Sequence, residues 1–280
     1  MSKRKKTLII TCVLLILLIV IIAWGNKAIE INTYQISSKK ISDNFDSFRI
    51  AQISDLHNAE IGEDNKKLVS KLKSTNPDII VITGDLIDSR TPDVDTAIGF
   101  VEEAVKIAPC YYVNGNHEAR VMTEYEDLKT KLSELGVYIL ENKKMEIEKG
   151  SETINIAGIN DPVFYADIVR PQLTEASIEH VKGNNENFTI LLSHRPEMFD
   201  LYAEYDFDLV FSGHAHGGQF RLPFIGGLYA PHQGAFPQFD SGLYTKNDTN
   251  MILSRGIGNS LFPFRINNRP EIILVELKSS

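Results

Sequence analysis

The chain contains few cysteines and few tryptophans, and it has no internal repeat or low-complexity tract. Its 280 residues include two cysteines and one tryptophan. Cys12 lies in an apolar N-terminal run and Cys110 in a predicted strand, so we expect no disulfide between them and exclude a small disulfide-stabilised fold. Hydrophobic residues make up 43% of the chain, which is enough apolar material for one sizeable globular core.

Positive charge is also scarce outside the N-terminus. The formal net charge is −8, from 29 basic and 37 acidic residues. Five of the basic residues and none of the acidic ones lie within residues 1–27, which leaves 24 basic residues against all 37 acidic residues in the rest of the chain. A domain with this acidic excess repels polyanions at long range, so we expect no nucleic-acid partner.

The first 25 residues combine a basic flank with a long apolar run. Lys-Arg-Lys-Lys occupies residues 3–6, and the run from Leu8 to Trp24 is almost entirely apolar. A helix over this run spans roughly 26 Å, enough to cross the hydrocarbon core of a bilayer. We predict a cytoplasmic basic stub and transmembrane anchor at residues 1–25, with its helix at 7–24. The protein is then a single-pass cell-membrane protein whose globular domain lies on the outer face. Cleavage of this segment as a secretory signal is the alternative.

Strand and helix patterns alternate along the rest of the chain. Residues 26–47 are expected to form a tether and an entry strand, and residues 48–280 the globular domain. Apolar runs predict strands at 49–54, 78–83, 110–114, 137–140, 188–193, 208–212, 250–255 and 271–277, with a hairpin formed by 144–149 and 153–159. Helical spacing of apolar residues predicts helices at 63–74, 93–107, 123–135 and 174–182, and another that starts at Pro196. This pattern predicts an α/β fold.

Polar residues recur at the carboxyl ends of five predicted strands. They are Asp-Leu-His at 55–57, Gly-Asp at 84–85, Gly-Asn-His-Glu at 115–118, Ser-His at 193–194 and Gly-His-Ala-His at 213–216. Strand ends of this kind converge at one edge of an α/β sheet, where ligands bind. Imidazole and carboxylate ligands together suit zinc, iron, manganese or cobalt better than calcium. The motifs therefore predict a metal site, in which Asp85 is the candidate to bridge two cations.

The order of these five motifs resembles that of the calcineurin-like metallophosphoesterases, and the resemblance covers residues 48–277. The part of the chain after Gly213 is similar to the membrane-anchored YaeI/YkuE branch of that family. The resemblance implies a metallophosphoesterase α/β sandwich, with mixed central β-sheets flanked by helices, and two divalent or trivalent metal ions, manganese, zinc or iron. It implies that one metal is held by Asp55, His57, Asp85 and His216, and the other by Asp85, Asn116, His194 and His214.

The same resemblance assigns the catalytic residues. His117 would be the general acid that protonates the leaving alkoxide while a metal-bridging hydroxide attacks phosphorus, and Asp88 would orient His117. Ser89 stands where related phosphatases have a phosphate-binding arginine. This departure favours a phosphodiester over a terminal phosphomonoester as substrate. The arginines that could replace the missing one are Arg90, Arg120 and Arg195. Glu118 is given no role.

The sequence therefore predicts a dinuclear-metal phosphodiesterase. We expect a phosphodiester substrate and consider a lipid-linked or cell-envelope-linked one, because aromatic residues crowd the segment 217–242 and could form an apolar wall beside the metals. Burial of these aromatics in the core of the fold is the simpler interpretation. One alternative function is a pyrophosphatase of a nucleotide-linked lipid of the UDP-diacylglucosamine type, which would need a cytoplasmic domain. The other is a non-catalytic metal-binding membrane protein, which would have no need of His117.

Overall fold

The computed structural model describes residues 2–184, 186–260 and 262–280, and Met1, Asn185 and Leu261 lie outside this description. Its helices are α1 (Lys3–Gly25), α2 (Lys66–Ser74), α3 (Val94–Ala104), α4 (Met122–Glu134), α5 (Arg170–Lys182) and α6 (Phe199–Glu204). Its strands are β1 (Glu30–Ser38), β2 (Arg49–Ile53), β3 (Ile79–Thr83), β4 (Cys110–Val113), β5 (Tyr138–Ile139), β6 (Lys143–Lys149), β7 (Glu152–Gly158), β8 (Thr189–Leu192), β9 (Leu209–Ser212), β10 (Arg221–Leu222), β11 (Gly226–Gly227), β12 (Tyr229–Ala230), β13 (Gly234–Ala235), β14 (Gly242–Lys246), β15 (Thr249–Leu253) and β16 (Glu271–Ser279).

Two mixed six-stranded sheets form the centre of the fold. The first has the strand order β1-β16-β2-β3-β4-β5, in which β2 to β5 are parallel and β16 runs antiparallel to β2. The second has the order β14-β15-β9-β8-β7-β6, with four parallel inner strands and an antiparallel strand at each edge. Parallel strands buried on both faces are continuous apolar runs, as in β3, where all five residues are buried.

Three apolar clusters arrange these elements in four layers. One cluster lies between the sheets and contains Ile50, Val81, Ile190 and Phe211, among others. A second packs α2, α3 and α4 on the outer face of the first sheet, and the third packs α5 and α6 on the outer face of the second. The structure thus confirms the predicted α/β sandwich with mixed sheets and flanking helices.

The predicted elements match the structure closely, apart from some helix ends and some strands that were not predicted. Helix α3 ends at Ala104, three residues before the predicted 107, and α6 begins at Phe199 rather than at Pro196. The hairpin β6–β7 and the site-bearing strands occur where the sequence predicts them. Helix α5 begins at Arg170, four residues before the predicted 174. Pro171 is compatible with this early start, because backbone N–H groups in the first turn have no helical hydrogen-bond partner and proline lacks only that group. Strand β14 was not predicted, and segment 217–242 contains two short antiparallel pairs, β10–β11 and β12–β13.

Helix α1 is long and apolar enough to cross a membrane. Its most apolar 18-residue window has a mean hydropathy of 3.2, and none of that window is buried against the rest of the chain. It is a candidate membrane span by length and composition. The following strand β1 pairs in parallel with β16, so the chain enters the first sheet directly after the helix.

We predict that the core between the sheets controls stability. Phe211 on β9 is fully buried there, so Phe211→Ala should lower the free energy of unfolding by about 3–5 kcal/mol through lost contacts and a residual cavity. Leu243→Ala removes a residue of β14 that is 42% exposed and should change it by less than about 0.5 kcal/mol. Urea unfolding of the full chain in detergent micelles measures both values. Equal effects of the two substitutions would contradict the layered core.

Candidate metal centre

The predicted site residues all follow strands and meet between the two sheets. Asp55 and His57 follow β2, Asp85 follows β3, and Asn116 and His117 follow β4, all in the first sheet. The second sheet supplies His194 after β8, and His214 and His216 after β9. Hydrogen bonds join the sheets directly behind this point. The Gln52 side-chain nitrogen donates to Thr83 Oγ1 and to Ser212 O, both at 2.9 Å.

Five of the site residues have backbone conformations that are rare outside glycine. Their φ angles lie between 47° and 69°, and the residues are Asp55, His57, Asp85, His214 and His216. Such conformations cost roughly 1–3 kcal/mol each and persist where the surrounding structure enforces them, as at functional sites. The sharp turns allow side chains on consecutive loop residues to point toward one centre.

Gly115 is required by the close approach of Asp85. A Cβ atom at position 115 would lie 2.2 Å from Asp85 Oδ1, far inside contact distance. The glycine therefore lets the loop after β4 pack directly against the Asp85 carboxylate, which contacts residues from both sheets.

The first donor group consists of Asp55, His57 and His216, which are all buried. The Nε2 atoms of the two histidines are 3.1 Å apart, and Asp55 Oδ1 lies 3.2 Å from His216 Nε2 and 3.9 Å from His57 Nε2. Asp55 is held by the His214 N–H, 3.1 Å from its Oδ1, and by the Ser54 hydroxyl, 2.5 Å from its Oδ2.

The second donor group consists of Asp85, His194 and His214. Asp85 Oδ2 is 3.1 Å from His194 Nε2, and His214 Nδ1 is 3.2 Å from the same His194 nitrogen. His194 Nδ1 lies 2.8 Å from the Thr83 carbonyl, a contact that turns Nε2 toward the centre. Asp85 Oδ2 is also 3.6 Å from His57 Nε2. The Asp85 carboxylate thus stands between the two groups.

Burial leaves three of the four imidazoles neutral. It lowers the pKa of His57 to about 3, and it holds the pKa values of His214 and His216 well below the usual range. Burial acts in the same direction on His194, but the adjacent Asp85 outweighs it and raises the His194 pKa to about 10. Burial raises the pKa of Asp55 to about 6. Neutral imidazoles have the free lone pairs that metal binding requires.

The donor set fits a pair of metal ions. Two nitrogen ligands on one tetrahedral zinc lie roughly 3.4 Å apart, and the donor separations within the two groups are similar. Asn116 Oδ1 is buried without a hydrogen-bond partner among the described residues, and so is His57 Nδ1. A buried carbonyl oxygen without a hydrogen-bond partner has a lone pair available to a cation. Asn116 therefore remains a candidate donor.

His117 is adjacent to both groups, and its ring nitrogen Nδ1 contacts Ser89. The Ser89 N–H donates to His117 Nδ1 at 2.9 Å, so the ring carries its proton on Nε2 in this geometry. Asp88 Oδ1 lies farther away, 3.6 Å from the same nitrogen. Asp88 also forms an ion pair with Arg90, whose guanidinium reaches the Ser260 carbonyl. Burial tends to raise the Asp88 pKa, but hydrogen bonds from Arg90 outweigh it and lower the value to about 2.

Glu118, to which the sequence assigned no role, holds the site loops together. It is fully buried, its Oε2 accepts the N–H groups of Asp85 and Gly115 at 2.9 and 2.8 Å, and its Oε1 accepts that of Ile87 at 3.3 Å. Burial raises its pKa to about 8. In the sequence, the position of Glu118 next to His117 was the available indication of a role. The loop after β3, to which Glu118 is hydrogen-bonded, is distant in the chain.

The sequence named Arg195 as a possible replacement for the missing phosphate-binding arginine but did not indicate the arginine-centred group that it forms beside His214. Arg195 is buried and forms a bidentate ion pair with Asp161. Its Nη1 lies 3.0 Å from His214 Nε2 and 2.8 Å from His232 Nδ1. His232 lies in segment 217–242 and follows no site strand, so neither spacing nor position in the sequence indicated that it reaches the centre.

A cavity of about 130 Å³ opens onto the two donor groups. Its lining residues are Asp85, Asn116, His117, Arg120, His214, His216, Pro231, His232 and Ser260. A small cavity lined by candidate metal donors, a histidine and an arginine suits an anionic group such as a phosphoryl group.

Comparisons with known proteins agree with this chemistry. A family model described as calcineurin-like phosphoesterase matches residues 48–218. The chain is 32% identical over 260 residues to the uncharacterized metallophosphoesterase YkuE of Bacillus subtilis, covering 90% of this chain and 86% of that protein. It is 26% identical over 241 residues to the phosphodiesterase YaeI of Escherichia coli, covering 84% of each.

Two further similarities concern the membrane and the fold. A transmembrane protein with a metallophosphoesterase domain from Danio rerio is 29% identical over 284 residues, which cover 98% of this chain and 62% of that protein. Among solved structures, TT1561 of Thermus thermophilus superposes with a TM-score of 0.51 at 12% identity, over 75% of this chain and 90% of that one. The latter likeness supports the fold alone.

We predict that the site loops depend on Glu118. Glu118→Ala should lower the free energy of unfolding by about 3 kcal/mol, because it leaves buried N–H groups unpaired. Glu134→Ala removes an exposed glutamate at the end of α4 and should have an effect below about 0.5 kcal/mol. Urea unfolding in micelles compares them. A Glu118→Ala protein as stable as the control would show that the carboxylate does not support these loops.

Proposed function

The chain belongs to the calcineurin-like phosphoesterase family and is a metal-dependent phosphoric ester hydrolase, and on this premise we propose that it is a phosphodiesterase with two metal ions. The observation that carries the proposal is the position of Asp85. Its carboxylate Oδ2 lies 3.6 Å from His57 Nε2 in one donor group and 3.1 Å from His194 Nε2 in the other. One carboxylate can therefore serve two cations.

The seven donors divide between the two metals as follows. Asp55, His57, Asp85 and His216 would hold one ion, and Asp85, Asn116, His194 and His214 the other. When bound, such a pair supplies Lewis acidity toward phosphoryl oxygens and lowers the pKa of water enough to provide a nucleophile at neutral pH. Manganese, zinc and iron all accept this mixture of nitrogen and oxygen ligands.

The proposed task of His117 is to protonate the leaving oxygen of the substrate. His117 lines the cavity. Its ring proton lies on Nε2, because Nδ1 accepts a hydrogen bond from the Ser89 N–H. To act as an acid the ring must also be protonated at Nδ1, and this protonation would end the hydrogen bond that Nδ1 accepts from the Ser89 N–H. The nearest acceptors for that proton are Ser89 Oγ at 3.1 Å and the ionised Asp88 at 3.6 Å. Asp88 is thus a positioning residue that stabilises the charged imidazolium.

A diester suits this site better than a terminal monoester, which carries more negative charge. Ser89 offers no positive charge, and Arg90 is engaged by Asp88. Arg195 is engaged by Asp161. Arg120 lines the cavity and is the arginine that remains for a substrate oxygen.

The proposal includes anchoring of the enzyme in the membrane by α1. The basic residues 3–6 precede the apolar span and favour the cytoplasmic side, and the two-sheet domain would then lie on the outer face. A phosphodiester linked to a lipid or to the cell envelope would then be accessible to the site.

We predict that the purified chain, stripped by a chelator and reloaded with manganese, zinc or iron, binds two metal ions. Asp85→Asn should lose most of both ions, because the shared ligand becomes neutral. Asp200→Asn, which changes an exposed aspartate on α6, should retain both. Metal analysis after gel filtration measures the content. Full occupancy in Asp85→Asn would contradict a shared ligand.

We further predict metal-dependent hydrolysis of bis-p-nitrophenyl phosphate in preference to p-nitrophenyl phosphate. His117→Ala should lower kcat by about 10²- to 10⁴-fold for the diester while it keeps both metals. His180→Ala, at an exposed position of α5, is the matched control and should keep wild-type turnover. A preference for the monoester would mean that one of the arginines clamps a terminal phosphate. Bound metals without turnover of either ester would favour a non-catalytic protein.

A further inference from the structure

The topology of the first sheet brings the membrane helix and the metal centre to the same edge. Strand β2 ends next to Asp55, and β16 runs antiparallel to β2, so β16 begins at that edge. Strand β1 is parallel to β16 and begins opposite Glu271, with Glu30. The strand that follows α1 therefore starts at the same edge of the sheet as the carboxyl ends of β2 and β3, where the candidate metal donors lie.

The end of α1 is joined to the loop that precedes β16. The Asn26 side chain accepts the Arg265 N–H at 2.7 Å and donates to the Arg265 carbonyl at 2.9 Å. The Arg269 guanidinium lies 4.9 Å from the centre of the Trp24 ring. Trp24 ends the apolar run, where aromatic residues meet the membrane surface. Residues 262–269 consequently lie at the level of that surface.

Exposed apolar side chains surround this point, and we call them the apolar rim. Its members are Leu222, Phe224, Ile225, Phe262, Phe264 and Ile266, all at least 39% exposed, with Phe224 fully exposed. The hairpin β10–β11 is attached to the loop by the Arg221 N–H, which donates to the Ile266 carbonyl at 3.0 Å. A patch of this kind marks an interaction surface.

A basic concavity borders the same helix end. It has a volume of about 600 Å³, and its charged lining residues are Lys27, Lys66, Lys67, Lys71 and Arg269. Lys66 is paired with Glu63 and Asp64 on the surface. Basic residues gathered at this point stand out in a domain whose acidic residues exceed its basic ones, and anionic lipid headgroups attract them.

We propose that the apolar rim and the basic concavity form one membrane-contact face, which seats the domain on an anionic phospholipid bilayer. The inference rests on the membrane anchoring proposed above. Ser260 lines the metal-site cavity two residues before Phe262 of the rim, so a seated domain opens its cavity at the level of the lipid headgroups. Phosphodiester groups of membrane lipids could then enter the cavity directly from the bilayer surface.

Tryptophan quenching in bilayer nanodiscs tests this face with the full chain. The nanodiscs contain phosphatidylcholine and phosphatidylglycerol, with or without bromine on the acyl chains. Phe224→Trp and Phe262→Trp are each made in a Trp24→Phe background, because Trp24 is the single tryptophan. Tyr138→Trp is the matched control, since Tyr138 is 42% exposed and begins β5, at the sheet edge farthest from β1 and away from the site.

Brominated lipids should lower the emission of both rim variants by an amount comparable with that of Trp24 in the wild type, and should leave the Tyr138→Trp variant unchanged. Lys67→Gln with Lys71→Gln in the Phe262→Trp protein should reduce that loss to the value found in pure phosphatidylcholine. If the two lysine substitutions left the quenching of Phe262→Trp unchanged, the proposed contribution of the basic concavity to membrane contact would be overturned.

The outcomes separate this inference from the proposed function. Quenching of Trp24 without quenching of the rim variants would overturn the membrane-contact face and leave the anchor in place. An unquenched Trp24 would overturn the anchor and the face together. Metal-dependent turnover of bis-p-nitrophenyl phosphate by the wild type reports on the catalytic proposal independently of either result.

Discussion

The position of Asp85 is the constraint on which the rest of the structure depends. The buried Asp85 carboxylate faces imidazoles from both donor groups, and its Oδ1 accepts the backbone N–H of His117 at 2.8 Å. The backbone N–H of Asp85 donates to the Glu118 carboxylate. A buried carboxylate is stable only where charge and hydrogen bonds compensate its desolvation. The ends of strands from two separate sheets must therefore lie within a few ångströms of Asp85. The packing of the two sheets against each other brings them to that distance.

The core between the sheets and the site at its edge form one physical unit. Gln52 links the ends of β3 and β9 directly behind the centre, and His214 of the second sheet donates its N–H to Asp55 of the first. The left-handed backbone at the site residues persists because apolar packing on both sides of each sheet fixes the strands that carry them. Rigid strands with strained turns at their ends give a preorganised set of candidate ligands, which would reduce the reorganisation that metal binding requires.

The arrangement of the first sheet also has a consequence for the membrane. Because β16 lies between β1 and β2, the chain that leaves α1 enters the sheet at the edge that bears the candidate metal donors. Phe224 and Phe262 are exposed, whereas the aromatics of segment 217–242, for which the sequence allowed either an apolar wall or burial in the core, are divided. Phe239 of that segment is buried in the core of the second sheet, and Phe236 remains exposed. Residues beyond the segment, such as Phe262, complete the exposed part.

The sequence by itself determined the elements and the chemistry of the site. Apolar runs followed by polar residues are local patterns, and they placed Asp55, Asp85 and His194 at strand ends before any fold was known. Only the tertiary structure decided which ends meet. The contact between His57 and His216 joins residues 159 positions apart. The contacts of Glu118 with Ile87 and of His232 with His214 likewise cross between loops. Local periodicity reflects the neighbours of a residue along the chain, whereas these contacts arise from the packing of two whole sheets.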